Sequence, residues 1–536
     1  MKVAGFNCGH DCAYAILENG IPVVHAELER YIRIKEPPGD AMQFMIDTYP
    51  DYKEITHFSH WLETNPNWMI RTKYADSFNH LTELAKQNGG HFFEPGHHQS
   101  HAANAFFSSN HKDALIVTID GGGRDKVNDQ VLVGTFTIWE GNDLDIELKA
   151  YYQESQINIG AMWADCTEKI FGLSRGYPKG NQCGSVMAMA CMGDHTKYYD
   201  EFYNHYFAHT SVKPFDFKKF KEIANRSEQD AFDVAAALQR ATESVVKEVL
   251  DPFVEQTKSR NLCLSGGVVL NSVMTGKILT EWYSDKFDNI YVCPVPYDAG
   301  LAIGSAQIVW HTVLRNPRIN WEDNFTPYLG FTHNEELVNK TLTNYENIEY
   351  SDSSVDELVD LLADGNIISV YSAGSESGRR ALGNRSILAD PRREDMKDLI
   401  NQKVKHRQWY RPFAPSILRD SVKDWFETDH QSPYMSFVFL FKQEVRDKVP
   451  AVVHFDGSAR LQTVTEKDNK WYYDFLKAWE EKSGVPIILN TSFNDREPIV
   501  ETPEHAINCF LKTNIDYLYF VDYKILVKKL GATNHD

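Results

Sequence analysis

No run of apolar residues in this chain approaches the roughly 18 needed to cross a bilayer. The opening MKVAGFNCGHD lacks the apolar core of a secretory signal. Cysteine is sparse: eight residues, at 8, 12, 166, 183, 191, 263, 293 and 509, with no CxxC pair. Several sit in apolar surroundings, such as Cys263 in LCL. That argues against a disulfide framework and for buried thiols in a reducing cytoplasm. Positive charge is also short. The 55 Lys and Arg against 75 Asp and Glu leave a formal charge of −20, which weighs against broad, sequence-blind binding to nucleic acid or anionic membrane. GxGxxG is absent, as is GxxxxGK followed by Ser or Thr, so neither a Rossmann nor a P-loop site is indicated. No internal repeat or low-complexity tract is visible. The expectation is a soluble, cytoplasmic protein. Its 536 residues are too many for one ordinary core, so two domains are expected.

Histidine is what the chain concentrates. GHHQSHAANAF, residues 96–106, places His97, His98 and His101 within five positions. The alanines favour a helix, on which His97 and His101 share a face about 6 Å apart, close enough to share one metal ion. Around this stretch the pattern is α/β. KVAGFN, AYAILE and IPVVHAELE read as a meander with an NG hairpin turn. ALIVTID runs into GGG at 121–123, and LCLS into Gly266–Gly267. A long amphipathic helix is expected around 228–250, and IYVCPVP leads to Asp298 and the helix AGLAIGSAQIVW. Strands that end in glycine- or aspartate-containing loops at helix starts are where α/β sheets hold phosphates.

The polar stretch 315–353 reads as a connector. A second unit begins by Ser354, which with Glu357 forms a capping box for VDELVDLLADG. Its segment 374–415 is strongly basic for an acidic protein, with Arg379, Arg380, Arg385, Arg392, Arg393, Lys397, Lys403, Lys405, Arg407 and Arg411. Arginine forks suit phosphate oxygens. The tight RALGNR and RPFAP turns favour a shaped anion pocket over a solvated face. Arg460 in SARLQTV and Asn490, Ser492 and Asn494 in ILNTSFN add hydrogen-bonding groups at strand ends.

HHQSHAANAF, IDGGG, SGGVVLN, DAGLAIG, RRALGNRSILADP, VKHRQWYRPFAP, ARLQTV and LNTSFN occur in this order. Together they closely resemble the O-carbamoyltransferases of antibiotic and nodulation-factor biosynthesis, over nearly the whole chain. The resemblance implies an α/β N-terminal domain (1–335) of the actin, Hsp70 and sugar-kinase type, similar to that of the threonylcarbamoyladenosine synthases. A C-terminal α+β YrdC-like domain (336–536) would follow it. It implies a two-step reaction. Carbamoyl phosphate and ATP, with Mg, give carbamoyladenylate and pyrophosphate in the second domain. A metal in the first domain, Fe(II) in the family, then assists carbamoyl transfer to an acceptor hydroxyl and AMP leaves. By donor chemistry alone another divalent metal, zinc or manganese, would serve.

Carried over residue by residue, His97, His101, Asp120 and Asp298 match the metal ligands. His10 matches a histidine near the transfer site, placed to act as general base. Arg380, Arg385, Lys405, Arg411, Arg460 and Ser492 match the carbamoyl phosphate and nucleotide pocket, with Arg380 and Lys405 as the catalytic cations. Gly121, Gly122, Gly266, Gly267 and Asn271 would hold the adenylate. The chain departs from the family at Ser375, where an arginine is usual, at Arg379, where a proline is usual, and at Ser185, where a lysine is usual. The resemblance is compatible with a homodimer and leaves the acceptor open. Two other readings fit the same residues. One is carbamoylation of a hydroxylated base in nucleic acid, against which the acidic charge weighs. The other is a non-catalytic nucleotide and metal sensor, which would need only one of the two residue sets.

Overall fold

A computed structural model describes residues 1–63, 69–207, 215–320 and 324–530. The chain divides into two compact units, Met1–Phe325 and Thr326–Asp536. The division falls at 325/326, where the sequence reading put 335/336.

In the first unit the expected meander is present as β1 (Lys2–Asn7), β2 (Ala13–Glu18) and β3 (Ile21–Glu27). With β4 (His57–His60) and β5 (Phe92–Phe93) it forms a sheet of order β3-β2-β1-β4-β5. β1 pairs antiparallel with β2 and parallel with β4. A second sheet is built from β6 (Asp113–Val127), β7 (Gln130–Asn142) and β8 (Asp145–Gln153). The short ribbon of β9 (Arg175–Gly176) and β10 (Gly180–Asn181) stands apart from it. β11 (Asn261–Ser265) and β12 (Asn289–Val292) complete the second sheet in the order β12-β11-β6-β7-β8. β6 is antiparallel to β7 and parallel to β11, so both sheets have the same wiring. This duplicated mixed sheet is the α/β architecture expected.

Four helices matter to the site: α1 (His97–Phe107), α2 (Ile159–Lys169), α3 (Glu228–Gln256) and α4 (Leu301–Gln307). α1 lies in the core because its alanines let it approach closely. Ala102, Ala103, Ala105, Phe106 and Phe107 pack with Ile116, Trp139, Cys263 and Ile308. GGG is not the loop the sequence suggested. β6 runs on to Val127, and its pairing with β7 breaks only between Ile119 and Gly123. The strand continues because β7 is long enough to partner it on both sides of that bulge.

The second unit holds one nine-stranded mixed sheet. In chain order its strands are β13 (Ile348–Asp352), β14 (Ile368–Tyr371), β15 (Arg385–Ala389), β16 (Ala414–Leu418), β17 (Phe437–Leu440), β18 (Ser458–Val464), β19 (Ile487–Ser492), β20 (Tyr517–Phe520) and β21 (Ile525–Lys529). Their order in the sheet is β13-β21-β20-β14-β15-β19-β16-β18-β17. The expected connector contributes structure. It holds a helix, Glu335–Leu342, that buries Val338 and Leu342 and is capped by Asn334, whose Oδ1 accepts the Leu337 N–H at 2.9 Å. It also supplies β13. Among the described residues no helix is long and apolar enough to cross a membrane.

Candidate metal centre and anion cluster

One turn of α1 brings His97 and His101 to the same face, as the i, i+4 spacing requires. Opposite them stand Asp120, at the β6 bulge, and Asp298, which follows β12 by a short loop. Donor atoms of all four lie within 4.8 Å of one another. His97 Nε2 is 3.1 Å from Asp120 Oδ2 and 3.8 Å from Asp298 Oδ1. His101 Nε2 is 3.4 and 3.3 Å from the same oxygens. Ligands about 2.1 Å from a shared ion stand roughly 3–4 Å apart. His101 Nε2 is buried and makes no well-formed hydrogen bond, as a nitrogen placed for a cation would be. Burial opposes charge on His101, yet the Asp120 and Asp298 carboxylates raise it to about 9. Burial also works against Asp120, but His101 and His97 hold it well below the ordinary carboxylate range. Two imidazoles and two carboxylates suit a divalent first-row ion, which would replace these protons.

Partners behind the four ligands were not legible in the sequence. His101 Nδ1 faces Ser265 Oγ at 3.4 Å, and Ser265 donates to the Pro296 carbonyl at 3.2 Å. The hydroxyl oxygen is thus left to accept the Nδ1–H, which fixes Nε2 as the ligand atom. His98 is turned to another task, as its place on the helix implies. Its Nδ1 bonds Asp125 Oδ2 at 3.0 Å, while Asp125 Oδ1 accepts the Gln99 N–H at 3.1 Å near the start of α1.

His10 lies on the far side of Asp298. Its Nε2 is 3.2 Å from Asp298 Oδ2, and its Nδ1 is 3.0 Å from Asp11 Oδ2. The Asp298 carboxylate holds the imidazole above the usual histidine range, although 66% of the side chain is open to solvent, which screens that pull. Asn7 shapes the loop. Its Nδ2 donates to the His10 and Asp11 carbonyls at 2.8 and 3.1 Å, and its Oδ1 accepts from Gly9 N–H and Trp61 Nε1. The Trp61 ring meets His97 edge-on at 5.2 Å.

The glycines are placed to make room for the ligands. A Cβ on Gly123 would come within 2.1 Å of the His97 ring, so this glycine seats the imidazole. Gly266 has φ +96, and a Cβ there would meet Ile119 backbone at 2.2 Å. Gly267 donates its N–H to Asp120 Oδ1 at 3.1 Å. Gly121 and Gly122 are exposed beside the bulge, with Gly121 O accepting from Asn158, the cap of α2. Asn271, expected to meet the adenylate, has framework partners in this structure. It caps the helix Ser272–Lys277 and exchanges hydrogen bonds with Gln239 of α3.

In the second unit the expected cations separate into two groups. Arg380, Arg407 and Arg411 lie near enough to Arg460 for their charges to act on it, and the four are treated together as an arginine cluster. Burial, then the repulsion of Arg380, Arg411 and Arg407, pushes Arg460 well below its ordinary value. Like charges gathered this way fit an anion. Arg407, one cation among many in the basic stretch of the sequence, joins the expected residues here. Arg385 and Lys405, both expected at the anion pocket, hold backbone in this structure. Arg385 is fully buried, donates to the carbonyls of Ser372, Ala373, Asn384 and Glu501, and stacks on Tyr371 at 3.6 Å. Lys405 Nζ donates to the Ser492 and Asn494 carbonyls and to Asn494 Oδ1 at 2.5–2.8 Å, so it buttresses the end of β19. Ser492 Oγ in turn donates to Asn494 Oδ1 at 2.8 Å.

Comparison with known proteins meets this geometry in both units. Residues 13–307 match the family model described as Carbamoyltransferase N-terminus, and residues 359–528 match Carbamoyltransferase C-terminus. Nodulation protein NolNO of Sinorhizobium fredii is 35% identical, covering 98% of this chain and 80% of its own. Nodulation protein NolO of Bradyrhizobium diazoefficiens is 36% identical, covering 82% of this chain and 80% of its own. Among solved structures, HypF of T. kodakarensis is similar at a TM-score of 0.32 and 14% identity, over 58% of this chain and 47% of that one. The family matches span the four candidate ligands in one unit and the arginine cluster in the other, and this chain is an enzyme that belongs to the carbamoyltransferase family.

Proposed function

We propose that the protein is an ATP-dependent O-carbamoyltransferase that works in two steps. In the second, YrdC-like unit, carbamoyl phosphate, water and ATP give carbamoyladenylate, pyrophosphate and phosphate. Two polyanions must meet for this, and the arginine cluster offsets their repulsion. In the first unit the acceptor hydroxyl oxygen attacks the carbamoyl carbon, its proton passes to the neutral form of His10, which a cation held by Asp298 would favour over the imidazolium, and AMP leaves with the bonding pair. His97, His101, Asp120 and Asp298 would hold a divalent ion, Fe(II) by family resemblance, which supplies Lewis-acid polarisation of the carbamoyl group. The observation that carries this reading is the meeting of those four donors within 4.8 Å, with His10 on the free oxygen of the same Asp298.

The test is pyrophosphate release from ATP by metal-loaded protein with no acceptor present. Release that requires carbamoyl phosphate and disappears in Arg380→Ala is the expected result. Release indifferent to carbamoyl phosphate, or none from folded protein, would sink the adenylation step.

A further inference from the structure

The turn that carries Arg380 is gripped from two sides. On one side stands Glu376, fully buried. Its Oε1 accepts three backbone N–H groups, from Leu382 at 2.7 Å, Asn384 at 2.9 Å and Arg385 at 3.0 Å. On the other side two side-chain amides hold the carbonyls. Asn490 Nδ2 donates to Ala381 O at 3.1 Å, and Gln462 Nε2 donates to Leu382 O at 2.9 Å. These amides are tied together, since Gln462 Oε1 accepts from Asn490 Nδ2 at 3.0 Å and from Ser416 Oγ at 2.6 Å. Asn490, Gln462 and Ser416 come from β19, β18 and β16, three neighbouring strands. Arg460 stands two residues before Gln462 on β18 and therefore on the same face. The amide that holds Leu382 thus sits beside one arginine of the cluster, and the backbone it holds leads within two residues to another.

A carboxylate that accepts three amide protons is a strong, directional anchor. Fixing backbone on both sides is what several like charges require, because repulsion would otherwise turn a mobile arginine away from its neighbours.

We propose that Glu376, backed by the Asn490–Gln462 amide pair, is a positioning residue that fixes Arg380 beside Arg460 to receive the phosphate of the carbamoyl donor. This rests on the anion-binding role given to the second unit above.

The test is a double-mutant cycle on the full-length protein, with binding of carbamoyl phosphate and of inorganic phosphate followed by titration calorimetry. Glu376→Gln should weaken both by about tenfold, the loss of one charge-assisted increment. It should add nothing to the loss already caused by Arg380→Ala, because it acts through that side chain. Gln462→Met removes the opposite grip and should show the same non-additivity, and it carries the test alone if Glu376→Gln does not fold. Wild-type affinity in the variants overturns the proposal, as do losses that multiply with Arg380→Ala. Wild-type protein that binds phosphate but releases no pyrophosphate refutes the two-step reaction, and the phosphate cycle still judges the clamp. Wild-type protein that binds neither anion overturns the clamp.

Discussion

His101 uses its two nitrogens for different ends: Nε2 faces the carboxylates and Nδ1 faces Ser265. Ser265→Ala keeps every ligand but releases the ring, so metal affinity should fall by about 10- to 100-fold, read by competition with a chelating dye. Gly123→Ala tests the seat of His97. The new methyl has no room beside the ring, and bound metal per chain should drop well below the wild-type value. The histidine pair was legible because spacing is local: histidines four apart declare a shared face before any fold is known, whereas Asp120 and Asp298 entered only through the family resemblance. Ser265 was not legible because His101 and Pro296 meet it only in the fold, and Asn7 and Glu376 were not because they hold backbone in turns that no motif announces. Thiol chemistry belongs at this scale too. Burial pushes Cys8, Cys263 and Cys293 up to about 12, so at neutral pH they are inert. Cys183 and Cys191 are partly exposed. Mass spectrometry after brief alkylation of native protein should find label on those two and leave the other six for the denatured chain.

Helix α1 must end as firmly as it begins, since its first turns carry the ligands. Arg318 closes it, donating through one terminal nitrogen to the carbonyls of Phe106, Ser109 and His111 at 2.9–3.1 Å and lying over the Phe106 ring at 4.4 Å. Arg318→Met should cost about 2–3 kcal/mol, measured as a lower denaturant midpoint. Strands with alternating or continuous apolar runs were readable, and β1 to β3 and β11 lie where their sequences place them. The GGG segment was misread because glycine signals a turn locally, whereas pairing with β7 carries the strand onward. The helix Glu335–Leu342 was hidden because its few apolar residues form a narrow stripe in a polar stretch.

Across the whole molecule, buried and half-buried neutral histidines set an acid limit. Burial and the nearby Arg318 charge hold His111 and His311 at about 4, and burial does the same to His454. In the unfolded chain each would titrate near 6.5. Below that value the unfolded state binds protons that the native state refuses, so stability is full above pH 6.5 and is lost as the pH falls towards 4. Denaturant midpoints should therefore decline between pH 7 and pH 5, and an unchanged midpoint would contradict these assignments. With two compact units, calorimetry should resolve two transitions, and chelation should lower only the one belonging to Met1–Phe325. The two sheets of that unit share one wiring order although no repeat is visible in the sequence. Their tips have diverged: the first sheet offers a solvent-facing imidazole at the turn after its leading strand, and the second buries an aspartate at the corresponding break in its leading ladder. A scaffold made twice can thus send two different side chains from corresponding turns to one place, an imidazole from the first sheet and a carboxylate from the second, both within reach of Asp298.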